Sequence, residues 1–319
     1  MAAYDLRLIS GNANPPLAAR ISEALEIPLT RAEAKRFSDG EIRVKIEESV
    51  RGADVFIIQP TCPPVSENLM ELLILMDALK RASAHRIVAV VPYYGYARQE
   101  KKIGGREPIT AKLVADLIAT AGAHRLLVMD LHVPSIQGFF NLPVDHLPAA
   151  PIIAKHLLAC GLGGPETVVV SPDVGGVPMA TGLADRLRAS LAIVAKRRPG
   201  PNHVQVIDVI GEMEGKRAVF IDDIVDTGRS LAVGAEAVVK RGASEVWACA
   251  THGVLSDEAP DLIQGSLIKE LVVTDTIPLP KRKARPKIEV LSVAPMLARA
   301  IRCVHEDESV SSLLKEGEA

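Results

Sequence analysis

Short apolar runs alternate along the chain with longer segments of helical periodicity. Val55–Ile58 and Val168–Val170 are continuous apolar runs, typical of strands buried on both faces of a parallel sheet. Residues Ile42–Ile46 instead alternate apolar and basic side chains, which predicts a half-exposed strand. Helical patterns follow most of the buried runs, and this order predicts an α/β fold with mainly parallel sheets flanked by helices.

Two tandem copies of one fold are indicated by an internal similarity. Val55-Phe56-Ile57 and Val219-Phe220-Ile221 each open a strand that leads through a loop and a helix to a small-residue turn. A length of 319 residues also favours about two domains. We place the first domain at residues 1–149, joined by the C-terminal segment 300–319, and the second at residues 150–299.

The second copy carries an acidic loop with a glycine directly after its strand. Asp222 and Asp223 follow the apolar run, Asp226-Thr227-Gly228 comes next, and a helical pattern covers Leu231–Lys240. Such a succession directs backbone N–H groups and the positive end of a helix at a phosphate. The neighbouring acids suit ribose hydroxyls, which they would contact directly or through a divalent cation.

An alternative interpretation of the same loop is a helix start capped by Asp226 or Ser230. One acid would satisfy a cap, whereas this loop carries three within five residues. The first copy has Gln59–Pro64 at the corresponding place. Only the second half is therefore predicted to hold a ribose phosphate.

Reactive side chains also follow other predicted strands. His132, Asp173, Lys196 and Arg198 each stand at a strand end, where open α/β sheets bind their ligands. Taken singly, the histidine could be structural, the aspartate a helix cap and the basic pair a solvated corner. Together they indicate anionic substrates, a divalent metal and a cationic clamp, as in phosphoryl transfer. The Gly-Lys-Ser signature of P-loop kinases is absent from the sequence.

The composition limits the classes of partner that the chain is expected to bind. The chain is 48% hydrophobic but only 3% aromatic, so its cores must be built from Val, Ile, Leu and Ala. With 37 basic and 39 acidic side chains, it lacks the basic field that nucleic acid or a membrane surface would require. No signal peptide or membrane span is predicted, and the four scattered cysteines suit a reducing compartment. We therefore expect a cytoplasmic protein.

These motifs together resemble the ribose-phosphate pyrophosphokinase family, whose members are also called phosphoribosyl-diphosphate synthetases. The resemblance extends from about Leu6 to Leu314. It is carried by the motifs Arg36-Phe37-Ser38-Asp39-Gly40-Glu41, Gly95-Tyr96-Ala97-Arg98-Gln99, Asp130-Leu131-His132, Ile136-Gln137-Gly138-Phe139-Phe140, Ser171-Pro172-Asp173-Val174-Gly175-Gly176, Lys196-Arg197-Arg198-Pro199 and Asp222-Asp223-Ile224-Val225-Asp226-Thr227-Gly228.

The resemblance implies two tandem phosphoribosyltransferase-like domains, of which the C-terminal one keeps the ribose-phosphate loop. It implies transfer of the β,γ-diphosphoryl group of ATP to O1 of ribose 5-phosphate, giving phosphoribosyl diphosphate and AMP. That product would serve nucleotide, histidine, tryptophan and NAD biosynthesis. On the sugar side, the residues implied to bind ribose 5-phosphate are Arg198, Asp222, Asp223, Asp226, Thr227, Gly228, Arg229 and Ser230.

On the nucleotide side, the resemblance implies an ATP site in the N-terminal domain. The residues implied to contact ATP are Phe37, Asp39, Gly40, Glu41, Arg98, Gln99 and His132. Magnesium is the implied cofactor, held by His132 and Asp173. The implied catalytic residues are Lys196, Arg198 and, from a mobile loop, Lys101 and Lys102. A homo-oligomer, commonly a hexamer, is implied as well.

Two positions depart from the family's usual pattern. Arg229-Ser230 stand where Gly-Thr is usual, and Gly104-Gly105 replace an arginine and a small residue. If position 229 required φ > 0, the arginine would carry strain on the order of 1 kcal/mol. These departures keep a catalytically silent regulatory homologue as one alternative function, and a phosphoribosyltransferase is the other.

Overall fold

The computed structural model describes residues 4–200 and 203–311, and for residues 195–200 and 203–207 it describes the backbone alone. The strands are β1 Leu6–Ser10, β2 Ala32–Arg36, β3 Ile42–Ile46, β4 Asp54–Ile58, β5 Arg86–Val91, β6 Arg125–Met129, β7 Val144–Leu147, β8 Thr167–Ser171, β9 Ser190–Gly200, β10 His203–Ile210, β11 Arg217–Val225, β12 Glu245–Gly253, β13 Leu271–Thr274 and β14 Ile288–Leu291. The helices are α1 Pro15–Leu25, α2 Val65–Arg81, α3 Thr110–Ala121, α4 Ala150–Ala159, α5 Val177–Leu187, α6 Arg229–Lys240, α7 Ala259–Gly265 and α8 Ala294–His305, with 3-10 turns at Pro134–Phe139 and Lys281–Lys283.

The chain divides into two compact units. Unit 1 comprises residues up to Pro148, the segment Thr276–Pro278 and the residues from Ser292 onwards. Unit 2 comprises Ala149–Asp275 and Leu279–Leu291. Residues 312–319, the end of the predicted C-terminal segment, lie outside the described residues.

Unit 1 is organised around a five-stranded parallel sheet with the strand order β1-β4-β5-β6-β7. Every residue of β4 is buried, as the unbroken apolar run predicted. Aliphatic side chains such as Ile57, Leu72 and Val91 form the core between this sheet and its helices. Because the strands are parallel, the loops that follow them emerge along one edge of the sheet.

A separate two-stranded sheet carries the first motif of unit 1. Strands β2 and β3 pair antiparallel, from Ala32 opposite Ile46 to Arg36 opposite Ile42. The side chains of β3 alternate between half-buried and exposed, which confirms the half-exposed strand predicted here. Ala32, Val44 and Ile46 pack against the core of unit 1, so this hairpin is anchored by its base.

Unit 2 contains a seven-stranded mixed sheet with the order β10-β9-β8-β11-β12-β13-β14. All neighbouring pairs are parallel except β10 and β9, which pair antiparallel at one edge. Its core, built from residues such as Val170, Phe220 and Ala248, is again mainly aliphatic. These two sheets with their flanking helices confirm the predicted α/β class.

Two expectations about regular structure in unit 2 need correction or extension. The sequence interpretation ended the strand of the acidic loop before Asp222, but β11 continues to Val225 because its ladder with β12 extends to the pair Val225 and Gly253. Helix α6 begins at Arg229 rather than at Leu231. The acidic residues therefore belong to the end of a strand and not to a loose loop.

The remaining sequence expectations concern cysteines and membranes. All four cysteines are free, and only Cys160 is exposed. Within residues 4–200 and 203–311, no helix combines the length and the apolarity that a membrane crossing needs.

Candidate active site

The acidic residues of β11 extend beyond one of its two neighbouring strands. The pairing of β11 with β8 ends at Phe220 opposite Val170, whereas its pairing with β12 continues to Val225. Asp222 and Asp223 are therefore held in extended conformation by β12 alone. Both side chains are half-buried. The arrangement gives two partly exposed carboxylates a fixed backbone beyond the end of β8.

The turn into α6 depends on a glycine. Gly228 has φ +72°, in the left-handed region that favours glycine, and it is the N-cap of α6. A Cβ at this position would lie 3.3 Å from Ile263 Cδ1, so α7 packs closely against the turn. The backbone amides of Leu255 and Ser256 donate to the carbonyls of Val225 and Asp226 at 3.0 Å each. The loop is thus braced from one side.

The N-cap position of α6 is held by Gly228 and not by Asp226 or Ser230, the residues that the capping alternative named. The first-turn N–H groups of a helix can bind an anion. Arg229 is exposed, is the first residue of α6 and lies outside the left-handed region, where only Gly228 stands in this loop. The strain considered for Arg229 therefore does not arise.

Three carboxylates of unit 2 influence one another electrostatically. Burial, the charge of Asp223, a hydrogen bond with Asp223 and the charge of Asp173 all raise the pKa of Asp222 well above its ordinary value. The backbone N–H of Asp223 donates to Asp222 Oδ1 at 2.9 Å, which offsets part of that effect. The structure thus brings together Asp173 and the acid pair, which the sequence placed after two different strands.

Asp173 also has a local structural role. Its Oδ1 accepts a hydrogen bond from the N–H of Gly176, the N-cap residue of α5, at 3.0 Å. Its backbone carbonyl accepts from Ser171 Oγ at 2.6 Å. The side chain is exposed, so its second oxygen faces solvent or a ligand. The N-cap of α5 is Gly176 and not Asp173, so Asp173 stabilises the turn before the helix and also acts on the charge of Asp222.

The carboxylates of unit 2 are potential ligands of a divalent cation. Among the described residues, no group of three or more His, Cys, Asp or Glu side chains is arranged as a metal site. Mg²⁺ usually binds through one or two carboxylates, several waters and substrate phosphates, so it does not need a cage of protein ligands. A carboxylate cluster in which Asp222 resists ionisation gains stability from a nearby cation. The carboxylates of unit 2 fit a magnesium ion that arrives with a phosphate substrate.

The basic pair predicted to act on the transferred group lies on β9. Lys196 is paired with Val206 of β10 in the antiparallel ladder. The side chains of Lys196 and Arg198 fall outside the described part of the structure. Their catalytic roles stay predictions.

In unit 1, the tip of the β2–β3 hairpin presents the first set of predicted ATP contacts. Phe37 is 51% exposed, an unusual position for a phenylalanine. The tip is a closed turn in which Phe37 N donates to Glu41 O at 2.8 Å, Glu41 N donates to Asp39 Oδ1 at 3.1 Å, and Gly40 has φ +97°. The aromatic ring and the acidic side chains of Asp39 and Glu41 therefore project from a rigid turn.

The loop after β5 holds the second set of predicted ATP contacts. Arg98 and Gln99 are exposed. Gln99 is fixed on both sides, because its N–H donates to Tyr96 O at 2.9 Å and its Oε1 accepts from Thr110 Oγ1 at 2.6 Å. Tyr96 has φ +65° and its hydroxyl is 2.9 Å from Ser66 Oγ on α2. These contacts fix the backbone that presents Arg98.

Lysines and a histidine follow at the same edge of unit 1. Lys101 and Lys102 are exposed, and Lys101 Nζ lies 3.1 Å from Glu100 Oε1. Burial raises the pKa of Glu100, but its backbone N–H, Lys101 and the electrostatic interaction with His132 lower it overall. His132 is exposed at the end of β6. Glu100, which the sequence interpretation did not single out, therefore interacts with both Lys101 and His132.

Glu107 is a second residue that the sequence interpretation missed. Its Oε2 accepts hydrogen bonds from the N–H groups of Ile103 and Gly104, at 2.8 Å each, and these bonds lower its pKa. A carboxylate that accepts two successive backbone amides closes the glycine-containing loop on itself. The sequence shows an acid five residues after Lys102, but not its backbone partners.

The fold and these residues define a class: an α/β enzyme in which carboxylates and a helix start can hold a sugar phosphate. Comparison with known proteins is more specific. Residues 6–122 match the family model described as the N-terminal domain of ribose phosphate pyrophosphokinase, and residues 195–315 match the one described as the phosphoribosyl synthetase-associated domain.

Full-length relatives give the same result. The chain is 56% identical over 315 residues to a ribose-phosphate pyrophosphokinase of Caldanaerobacter subterraneus, covering 98% of this chain and 99% of that relative. It is 52% identical to the Bacillus subtilis enzyme of the same name, with 97% of each chain covered. The phosphoribosylpyrophosphate synthetase structure from Mycobacterium smegmatis superposes with a TM-score of 0.88 at 44% identity, covering 95% of this chain and 99% of that one.

The chain belongs to the ribose-phosphate pyrophosphokinase family. It is accordingly an enzyme that transfers a diphosphoryl group, and the family resemblance drawn from the sequence motifs is confirmed.

Proposed function

We propose that this chain transfers the β,γ-diphosphoryl group of ATP to O1 of ribose 5-phosphate, which gives phosphoribosyl diphosphate and AMP. The observation that carries the proposal is the β11–α6 connection, where carboxylates and the start of a helix with a glycine N-cap occur together. Ribose 5-phosphate requires both, because its hydroxyls can donate hydrogen bonds to carboxylates, whereas its phosphate accepts them from N–H groups.

On unit 2, the backbone from Asp226 to Ser230 would bind the 5-phosphate, with the Arg229 guanidinium as a further contact. Asp222 and Asp223 would orient the ribose hydroxyls. Arg198 would contact the sugar phosphate, and Lys196 would stabilise negative charge on the transferred group. Asp173 is the proposed magnesium contact on this unit, where the ion would neutralise phosphoryl oxygens.

On unit 1, Phe37 would pack on the adenine, and Asp39, Gly40 and Glu41 would surround the nucleoside. Arg98 and Gln99 would contact ATP from the loop after β5. His132 is the proposed nucleotide and magnesium contact on this unit. Lys101 and Lys102, from the loop that Glu107 closes, would shield the diphosphate from water.

The decisive assay supplies the purified protein with ATP, Mg²⁺ and ribose 5-phosphate. We expect AMP and phosphoribosyl diphosphate in equal amounts. Formation of ADP, or of no AMP, would contradict the proposal. A phosphoribosyltransferase would instead need phosphoribosyl diphosphate and a base as substrates, so it is distinguished by the same assay.

A catalytically silent homologue is distinguished by Lys196→Ala. We expect turnover to fall about 100- to 1000-fold, as when a transition-state donor is removed, while ribose 5-phosphate affinity changes little. Lys155→Ala is the matched control, because Lys155 is an exposed lysine on α4 of the same unit. Equal activity of the wild-type protein and Lys196→Ala would favour the silent homologue.

Two further proposals concern the oligomeric state and the cellular location. The family resemblance supports a homo-oligomer, with a hexamer as the expected form, and a mass measurement of the purified assembly tests it. A cytoplasmic location is proposed from the four free thiols, which suit a reducing compartment, and fractionation of cells that express the chain tests it.

A further inference from the structure

A buried polar network fills the space after β1 and β4 of unit 1. Glu71 on α2 is 4% exposed, and Gln59, directly after β4, is fully buried. Glu71 Oε1 accepts from the backbone N–H of Asn12 at 2.6 Å and from Gln59 Nε2 at 2.9 Å. Its Oε2 accepts from Asn12 Nδ2 at 2.9 Å. A buried carboxylate is thus stabilised by three neutral donors.

Gln59 is also fixed by hydrogen bonds and close packing. Its Nε2 also lies 3.2 Å from Asn68 O, and its Oε1 accepts from Ala13 N at 3.0 Å. A Cβ on Gly11 would lie 2.2 Å from Gln59 Oε1, so only glycine allows this packing. The network therefore closes the edge of the sheet with the chain's own side chains and leaves no room for a ligand between Gly11 and Gln59.

The network is connected to the β2–β3 hairpin through Asn12. Asn12 Nδ2 donates not only to Glu71 but also to Ala34 O on β2, at 2.8 Å. Strands β2 and β3 form their own sheet, so this bond links the hairpin to the loop after β1 of the five-stranded sheet. Ala34 stands three residues before Phe37 at the hairpin tip.

Helix α2 contacts the hairpin through a second acid. Glu67 Oε2 lies 2.6 Å from Arg36 Nη2, next to Phe37. Glu67 and Glu71 are four residues apart and lie on one face of α2. Both side chains of the Arg36–Glu67 pair are about half exposed, at 45% and 49%, so that pair is weak. The Asn12–Glu71 hydrogen bonds are part-buried, and the Asn12–Ala34 bond that joins them to the hairpin is exposed.

We propose that Glu71 and Asn12 are positioning residues for ATP, which hold the β2–β3 hairpin so that Phe37, Asp39 and Glu41 meet the nucleotide. This inference rests on the proposed role of the hairpin in ATP binding. Displacements of about 1 Å in a positioning element weaken a site substantially. The two residues act through the hairpin backbone and touch neither substrate.

Two variants test the path at different points. Asn12→Ala removes the amide bridge to Ala34 but keeps the backbone N–H bond to Glu71. Glu71→Gln places an NH₂ group against at least one of the donors that now face a carboxylate. Ser22→Ala is the matched control, because it deletes another side-chain hydrogen bond of unit 1, from Ser22 Oγ to Ile27 O at 2.6 Å. Phe37→Ala is the reference for loss of the hairpin's own contact.

We expect Asn12→Ala and Glu71→Gln to raise KM for ATP about 3- to 10-fold, as expected for one or two hydrogen bonds, with KM for ribose 5-phosphate unchanged. Deuterium exchange in residues 32–46 should become faster in both variants and stay unchanged in Ser22→Ala. Asn12 is exposed, so its variant stays informative even if Glu71→Gln does not fold.

Unchanged KM for ATP, or an equal rise in both KM values, would overturn the proposal. If Phe37→Ala raises KM for ATP while Asn12→Ala does not, the hairpin binds ATP but the path from Glu71 does not position it. If Phe37→Ala itself has no effect on KM, the assignment of ATP to the hairpin is wrong, and this inference is overturned with it.

Discussion

The connection after β4 in unit 1 and the connection after β11 in unit 2 have the same order of strand, loop and helix. They differ in whether their polar side chains are hydrogen-bonded within the chain. In unit 1, Gln59 and Glu71 are buried and fully hydrogen-bonded within the chain. In unit 2, Asp222 and Asp223 are half-buried and repel each other, and the N-cap of the following helix is a glycine. The first connection forms its hydrogen bonds within the chain, whereas the second carries like charges that a bound cation would stabilise.

The difference teaches how one fold can serve two purposes. A polar cluster that satisfies its own hydrogen bonds rigidifies its surroundings. A cluster of like charges costs stability, which is typical of binding and catalytic sites. Unit 1 therefore uses this connection as a scaffold for its hairpin, and unit 2 uses it as a proposed substrate site.

The largest expected effect comes from making the first connection acidic. Gln59→Glu would place a second carboxylate against Glu71 and remove the Nε2 donor, leaving an uncompensated buried charge. We expect a loss of about 3–5 kcal/mol in the free energy of unfolding, measured by urea denaturation. Gln264→Glu is the control, because the Gln264 Oε1 that accepts from Lys287 N is retained. A loss below about 1 kcal/mol for Gln59→Glu would contradict the buried network.

The converse change removes an acid from the second connection. Asp222→Asn should lower kcat/KM about 10- to 100-fold, because hydrogen bonds to a charged group contribute about 1.5–3 kcal/mol. The free energy of unfolding should stay constant or rise, because the repulsion with Asp223 and Asp173 is removed. Asp261→Asn, at an exposed pair with Arg285, is the control for activity. A strongly destabilised but active Asp222→Asn protein would reverse the comparison.

A smaller effect is expected at the turn of the second connection. Gly228→Ala should cost about 1–2 kcal/mol of stability, because φ +72° disfavours a Cβ that would also contact Ile263. Affinity for ribose 5-phosphate should fall with it. Gly182→Ala in α5, where no atom lies within 4 Å of the new Cβ, should be neutral or stabilising. Thermal denaturation of both variants checks the difference.

The smallest expected effect is on the pH dependence of stability, to which Asp54 in unit 1 and Asp222 in unit 2 contribute with opposite signs. Burial raises the pKa of Asp54 at the start of β4, but hydrogen bonds from Arg86 Nη2 at 2.5 Å, His85 Nδ1 at 2.9 Å and His305 Nδ1 at 3.1 Å lower it overall. Asp54 therefore contributes stability above its unfolded pKa of about 3.9, and this is lost as pH falls through the lower folded value. Asp222, with a raised pKa, contributes stability at low pH that is lost as pH rises.

Thermal denaturation from pH 3 to pH 7 measures both contributions. The deficit of Asp54→Asn relative to the wild-type protein should shrink as the pH falls below about 4. The advantage of Asp222→Asn should grow as the pH rises from the same value. Parallel curves for either variant and the wild-type protein would show that its carboxylate does not change stability with pH.

Sequence reasoning found the strands because their patterns are local. The apolar run of β4 and the alternation of β3 each lie within five residues, and both were confirmed. The predicted end of β11 was wrong because Asp222 and Asp223 resemble loop residues in the sequence. The ladder with β12 keeps them extended. Glu107 was missed because its partners are backbone amides, which no side-chain pattern reveals.

The sequence by itself determined the α/β class, the acidic connection and the family, because apolar periodicity and contiguous motifs are properties of short segments. Only the tertiary structure decided which polar residues are satisfied and which are not. Asn12 and Glu71 are 59 residues apart, and Asp173 reaches Asp222 from another strand, so their hydrogen bonds and repulsions exist only after folding. The acidic connection is the proposed site, and its counterpart the proposed scaffold, because of those long-range partners.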